Sequence, residues 1–129
     1  MPNPQDIRRV IEAYFAATRA MDLDAWLATF ASDAVMHDPS GPPVRGRAAL
    51  RQFFQGIMSA FERVGLTEQT IYVFAPRAAV SWVGEGVGKN GQRVKFSGID
   101  VFEINDAGTI QTLWGYWDPA AMMAELSRA

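Results

Sequence analysis

The sequence predicts an α+β domain in which a long, curved antiparallel sheet wraps three N-terminal helices as a cone. Three observations carry this. Apolar residues recur at helical spacing through about residue 63. From Thr67 onward the period changes to that of strands. Turn signals then separate one alternating run from the next. Helices first and a meander after is the order of an α+β fold. A sheet curved over helices leaves a one-ended cavity whose mouth can admit a small apolar ligand.

The elements follow in order. Residues 4–20 form a helix, with Ile7, Val10, Ile11, Tyr14, Phe15 and Thr18 on one face and Arg8, Arg9, Glu12 and Arg19 away from it. Asp22 or Asp24 caps a short second helix through Ala25, Trp26, Leu27 and Phe30. A strand over 34–38 ends at Pro39, and Pro39-Ser40-Gly41-Pro42-Pro43 is a loop. A third helix covers 47–63, with a stripe of Leu50, Phe53, Phe54, Ile57, Met58 and Phe61. Strands are expected over 67–75, 79–88, 93–104 and 110–118. Pro76-Arg77, Asn90-Gly91 and Asn105-Asp106-Ala107-Gly108 make the turns, and Asn90-Gly91 is the strongest hairpin signal because both residues tolerate positive φ. A last helix, 119–127, is amphipathic through Met122, Met123 and Leu126.

Composition narrows the chemistry. The 129 residues suit a single domain, 1–129, with no internal repeat or linker. Lys and Arg total 12 against 14 Asp and Glu, a net charge of -2, which argues against a basic nucleic-acid groove. No cysteine is present, which excludes thiol catalysis, disulfides and thiolate metal sites. The single histidine, His37, cannot build a multi-histidine metal site. No run approaches the roughly 18 apolar residues of a membrane span. The first residues carry charges where a signal peptide needs an apolar stretch, so a cytoplasmic protein is expected. Carboxylate, tyrosine and aromatic chemistry remain.

Asp100 is the most informative candidate. Strand alternation puts Val94, Phe96, Gly98, Asp100, Phe102 and Ile104 on one face and Lys95, Ser97, Ile99, Val101 and Glu103 on the other. Asp100 is then the lone carboxyl on an apolar face, where burial disfavours its charged form. Either it works as a neutral acid, or it pairs with a buried donor, or the other face is the buried one. Asp38 stands before a proline-rich loop, where the turn-former reading is the stronger one and a site carboxylate the alternative. Tyr14 lies on the core stripe of the first helix, where a tyrosine usually packs with its hydroxyl satisfied at the edge and a site role is the rarer reading. His37 is expected to be exposed or at a subunit contact. Gly84, Gly86, Gly98 and Gly115 interrupt strands rich in aromatics, either as bends or as room for a flat ligand.

Three stretches resemble the Δ5-3-ketosteroid isomerases, within the nuclear transport factor two-like and SnoaL-like superfamily. The first is Tyr14-Phe15-Ala16-Ala17 with Asp22-Leu23-Asp24 and Phe30-Ala31-Ser32-Asp33-Ala34. The second is His37-Asp38-Pro39-Ser40-Gly41 with Arg45-Gly46. The third is Ile99-Asp100-Val101-Phe102 with Gly108 and a closing aromatic strand. The resemblance implies Tyr14 and protonated Asp100 as oxyanion-hole donors and Asp38 as general base. A carboxylic acid held neutral to donate is the known chemistry of that enzyme type, so this role is taken from the resemblance. It also implies a cofactor-independent isomerase without a metal, acting on a hydrophobic substrate such as a steroid, in a homodimer. Trp82, Phe96, Phe102, Leu113 and Trp117 would line the substrate. Phe54 stands where many such isomerases carry a supporting tyrosine. A SnoaL-like cyclase or a non-catalytic binder of a sterol, lipid or polyketide are the alternatives.

Overall fold

The first helix begins where the sequence provides a cap. In the computed structural model, which describes residues 1–128, the Asn3 side chain accepts the Asp6 N–H at 2.8 Å and Pro4 opens the first turn. Helix α1 (Pro4–Arg19) buries Ile7, Ile11, Tyr14 and Phe15 along one stripe. Asp22 caps α2 (Leu23–Ala28) by accepting from the Ala25 N–H at 3.1 Å. Strand β1 (Phe30–His37) and the two-residue β2 (Val44–Arg45) flank the proline-rich loop, and α3 (Gly46–Ser59) follows. A meander then runs through β3 (Phe61–Phe74), β4 (Arg77–Gly88), β5 (Arg93–Ile104) and β6 (Ile110–Trp117), and α4 (Pro119–Leu126) ends the chain.

The six strands form one curved, unclosed sheet in the order β2-β1-β6-β5-β4-β3. The α+β cone with its N-terminal helices is therefore as expected. The pairing is antiparallel except between β1 and β6, which run parallel. Register shifts in the β3–β4 pair mark bulges, which bend the longest strands. The helices fill the concave side, with Phe15, Phe30, Leu50, Val80 and Phe102 at its centre. No described helix is long and apolar enough to cross a membrane.

Several boundaries differ from the periodicity, and α2 stops at Ala28, which leaves Phe30 to a strand. Helix α3 stops at Ser59, and Phe61 opens β3 instead of completing the helical stripe. Phe61 and Val64 pack with Val94, Met122 and Leu126 in a second small core, and these long-range contacts override the local pattern. Strand β1 starts at Phe30 instead of residue 34, because its first residue pairs with Ile110 of β6.

Candidate active site

Three functional candidates meet on the concave side. Tyr14 points inward from α1, its ring fixed edge-on by Phe15 at 5.0 Å, Phe102 at 5.2 Å and Phe30 at 6.0 Å. Burial raises its phenol well above the usual range, and the charges of Asp100 and Asp38 add to this. The Trp26 indole N–H opposes the rise. Trp26 packs on Phe54 at 4.8 Å between ring centres. The polar group backing Tyr14 therefore comes from α2, and Phe54 supports it through packing. Trp26 was legible only as a core residue, since its approach to Tyr14 depends on how α2 crosses α1.

Asp100 sits on β5 opposite Val80 of β4 and Gly115 of β6. It is 5% exposed, while Arg93, Lys95, Ser97 and Ile99 face solvent. The apolar face of β5 is thus the inward one. Burial pushes the Asp100 carboxyl up to about 7, and the Asp38 charge adds to the rise. The Trp82 indole N–H works against it. No lysine or arginine lines the cavity among the described residues.

Asp38 follows the last residue of β1 and is both a turn residue and a cavity residue. Its Oδ2 accepts the Ser40 N–H at 2.9 Å and the Ser40 hydroxyl. Its Oδ1 accepts the Trp117 indole N–H at 2.9 Å. Three donors fix the carboxylate at the cavity wall. A Cβ on Gly115 would stand 3.3 Å from Asp100 Oδ1 and 3.7 Å from Asp38 Oδ1. The missing side chain at Gly115 leaves the two carboxyls facing one space.

That cavity encloses about 90 Å³ of free space. Phe54, Trp82, Phe96, Leu113 and Trp117 line it. Phe102 does not. It is fully buried, with Tyr14 and Phe15 of α1 packed edge-on against its ring, so it supports Tyr14 from behind and does not reach a ligand. Met36, Phe53, Met58, Phe61 and Met122 line the cavity as well. Phe53, Met58 and Phe61 were visible as part of a helical stripe, but Phe61 reaches the cavity from a strand. The His37 ring stacks on Trp114 with planes 7° apart, on the opposite face of the sheet from Leu113 and Gly115.

Gly98 makes room for the aromatic wall. A Cβ there would lie 2.6 Å from Trp82 Cζ2, 2.6 Å from the Tyr116 carbonyl oxygen and 2.8 Å from Trp117 Cβ. One of these is backbone and cannot swing aside. Gly98→Ala is therefore expected to destabilise the fold by about 1–3 kcal/mol, the usual cost of overpacking. Urea denaturation of the variant checks this, and an unchanged midpoint would contradict the packing described.

The fold and site together define a small cone-shaped domain with a tyrosine and two carboxyls facing an apolar cavity. Residues 11–112 match the SnoaL-like domain, and the chain belongs to that family. It is 28% identical over 120 residues to the steroid Δ-isomerase of Nocardioides simplex, covering 92% of this chain and 94% of that protein. The Δ5-3-ketosteroid isomerase of a Mycobacterium species superposes with a TM-score of 0.77 at 27% identity, over 88% of this chain and 93% of that one. A Xanthomonas campestris protein proposed to be a polyketide cyclase superposes with a TM-score of 0.80 at 28% identity, over 98% and 100%. Its relatives thus include isomerases and cyclase-like proteins that act on small molecules.

Proposed function

We propose that this chain is a cofactor-independent isomerase that moves the double bond of a 3-oxo-Δ5-steroid to Δ4. The observation that carries the reading is the sorting of polar groups in one apolar cavity. Two proton-bearing groups, Tyr14 and Asp100, stand where burial opposes their ionisation. Asp38 faces the same space with its oxygens held by three donors.

In this mechanism Asp38, as the carboxylate, takes a proton from C4 of the steroid and returns it at C6. The C4–H electron pair moves into the ring, and charge builds on the 3-oxygen of the dienolate. Tyr14 and neutral Asp100 donate to that oxygen. Away from water, preoriented donors of this kind stabilise a developing anion most strongly. The substrate's flat faces lie against Trp82, Phe96 and Trp117. The free space is smaller than the roughly 300–1,000 Å³ of pockets that enclose drug-sized ligands. The flexible Met58 and Met122 side chains are the groups expected to yield to a rigid ring system.

Absorbance assays with 5-androstene-3,17-dione test the reading, because the product is a conjugated enone. Absorbance growth with enzyme supports it, and binding without turnover would favour a carrier. A cyclase is the second reading, favoured by the likeness to the Xanthomonas protein. A cyclase needs one aspartate as acid–base and has no need of the paired donors Tyr14 and Asp100.

The proposal includes a homodimer formed through the outer face of the sheet. Tyr116 is 61% exposed and Ile99 50%, beside Trp114 on that face. An apolar surface of this kind marks a protein contact. Sedimentation at micromolar concentration is expected to give twice the chain mass, and Tyr116→Glu to give the monomer. A wild-type monomer would count against the interface.

A further inference from the structure

Trp82 carries a polar atom that the isomerase chemistry leaves without a task. The residue is 3% exposed. Its indole Nε1 is the one fully buried side-chain nitrogen or oxygen among the described residues without a hydrogen-bond partner. A buried donor left unpaired is costly, and native proteins keep few of them.

Its surroundings say what it faces. Trp82 lies opposite Gly98, and Val80 lies opposite Asp100, on the paired strands β4 and β5. Trp82 and Asp100 are thus diagonal neighbours on the inward face, a span that a long aromatic side chain can cross. Gly98 lets the indole lie across β5, because the edge that carries Nε1 passes over the missing side chain at Cζ2. Phe96 and Trp117 hold the ring from other sides, at 5.9 and 6.2 Å between ring centres. The N–H is close enough to the Asp100 carboxyl to favour its anion, without the distance and angle of a full hydrogen bond.

A neutral carboxylic acid has one acceptor oxygen and one O–H. A donor fixed on one side selects which oxygen keeps the proton. We propose that the Trp82 indole N–H positions Asp100: its positive end faces one carboxyl oxygen, disfavours the proton there, and so leaves the protonated oxygen turned toward the cavity beside Tyr14. Trp82 is then a positioning residue that acts through Asp100. The use of the aimed proton rests on the isomerase reading, but the aiming is a property of the free protein.

The titratable groups that face Asp100 are the Tyr14 hydroxyl from α1 and the Asp38 carboxyl beyond the end of β1. Strands β4 and β6 bring Val80, Trp82 and Gly115 against it, all without charge. The His37 ring lies on the other face of the sheet with Trp114. Loss of the Trp82 N–H therefore removes a group that favours the Asp100 anion and leaves its charged neighbours in place.

The test follows the Asp100 carboxyl carbon by NMR against pH in the free protein, with the signal assigned from Asp100→Asn. The wild-type midpoint is expected near 7. Trp82→Phe keeps an aromatic ring and deletes the donor, and its midpoint is expected to rise by about one unit, a tenfold gain in proton affinity. A folded Trp82→Phe protein with the wild-type midpoint overturns the assignment. The wild-type protein supplies an independent measurement. The Trp82 indole N–H resonance must shift with the Asp100 titration, and a resonance indifferent to it overturns the assignment whether or not the variant folds. A merely structural tryptophan would lower the melting temperature without moving either signal. Both shifts in a protein that never converts the steroid would leave the positioning role standing and reject the isomerase. Steroid turnover without the shifts would reject the positioning role alone.

Discussion

Asp38→Asn is expected to lower steroid turnover by about 10²–10⁴-fold, the range for loss of a general base. The amide has the same shape but no basic oxygen to accept the C4 proton. The donors at Tyr14 and Asp100 are untouched, so a flat phenolic or steroid ligand should still bind within a few-fold of wild type. Part of the loss has a second origin. Asp38 receives the Trp117 indole N–H and both donors of Ser40. An amide nitrogen turned toward any of these would repel it, which loosens the loop at Pro39. Ser40→Ala separates the contributions, because it removes a donor and keeps the base. Stopped-flow turnover of the two variants decides the matter: near-normal rates for Asp38→Asn would end the proposed mechanism.

At Asp100 the expected result depends on which side chain replaces it. Asp100→Ala removes one oxyanion donor and should lower turnover by about 10²–10³-fold. Asp100→Asn keeps a donor in the same place and should be much milder. pH sharpens the contrast. Burial holds the native carboxyl near 7 against a reference value of 3.8. Between those values the native state binds the proton and the unfolded state has lost it, so stability falls as pH rises from about 4 to about 7 and is level above. The cumulative cost is up to about 4 kcal/mol. Asp100→Asn removes that titration and should melt higher than wild type at pH 8. Activity follows the same group, since only the neutral acid donates. Wild-type kcat/KM is expected to fall as pH rises through about 7, and the Asn variant is expected to lose that limb. Equal turnover in the Asn and Ala variants, with lower melting temperatures in both at every pH, would make Asp100 a residue of the fold only.

Local patterns made much of this legible. Strand β5 has the bounds that its alternation and the Asn90-Gly91 turn predict, and Asp100 faces inward as that alternation requires. The caps at Asn3 and Asp22 sit where short polar side chains precede apolar stripes. What could not be read depends on distant pairing. The parallel contact of β1 with β6 joins strands separated by the whole meander, and no local signal sets its direction. The C-cap of α3 is Ala60, with no glycine or proline between Ser59 and Phe61, so the apolar spacing runs on into Phe61, which tertiary packing claims for β3. The site divides in the same way. Tyr14, Asp38 and Asp100 were each visible as residues with more than one open reading. The Trp117 donor to Asp38 lies 79 positions along the chain and has no sequence signature of its own. Phe102 shares a face with Asp100, yet α1 covers it, and alternation alone cannot tell a wall from what stands behind it.

The charge of Asp38 reaches both deep groups, raising the proton affinity of Tyr14 and of Asp100. In the proposed reaction this makes the cavity a closed electrostatic account. When Asp38 accepts the substrate proton, one negative charge leaves the loop end and one appears on the ligand oxygen, so the total is unchanged while its centre moves. The two donors stop feeling the first charge at the moment they meet the second. The nearer charge of the dienolate holds both protons on their donors, so each group hydrogen-bonds the oxygen without ionising until Asp38 gives its own proton back. A neutral substrate can thus travel through an anionic intermediate without any ion entering or leaving the protein, which is the behaviour a cavity without a charged counter-ion requires.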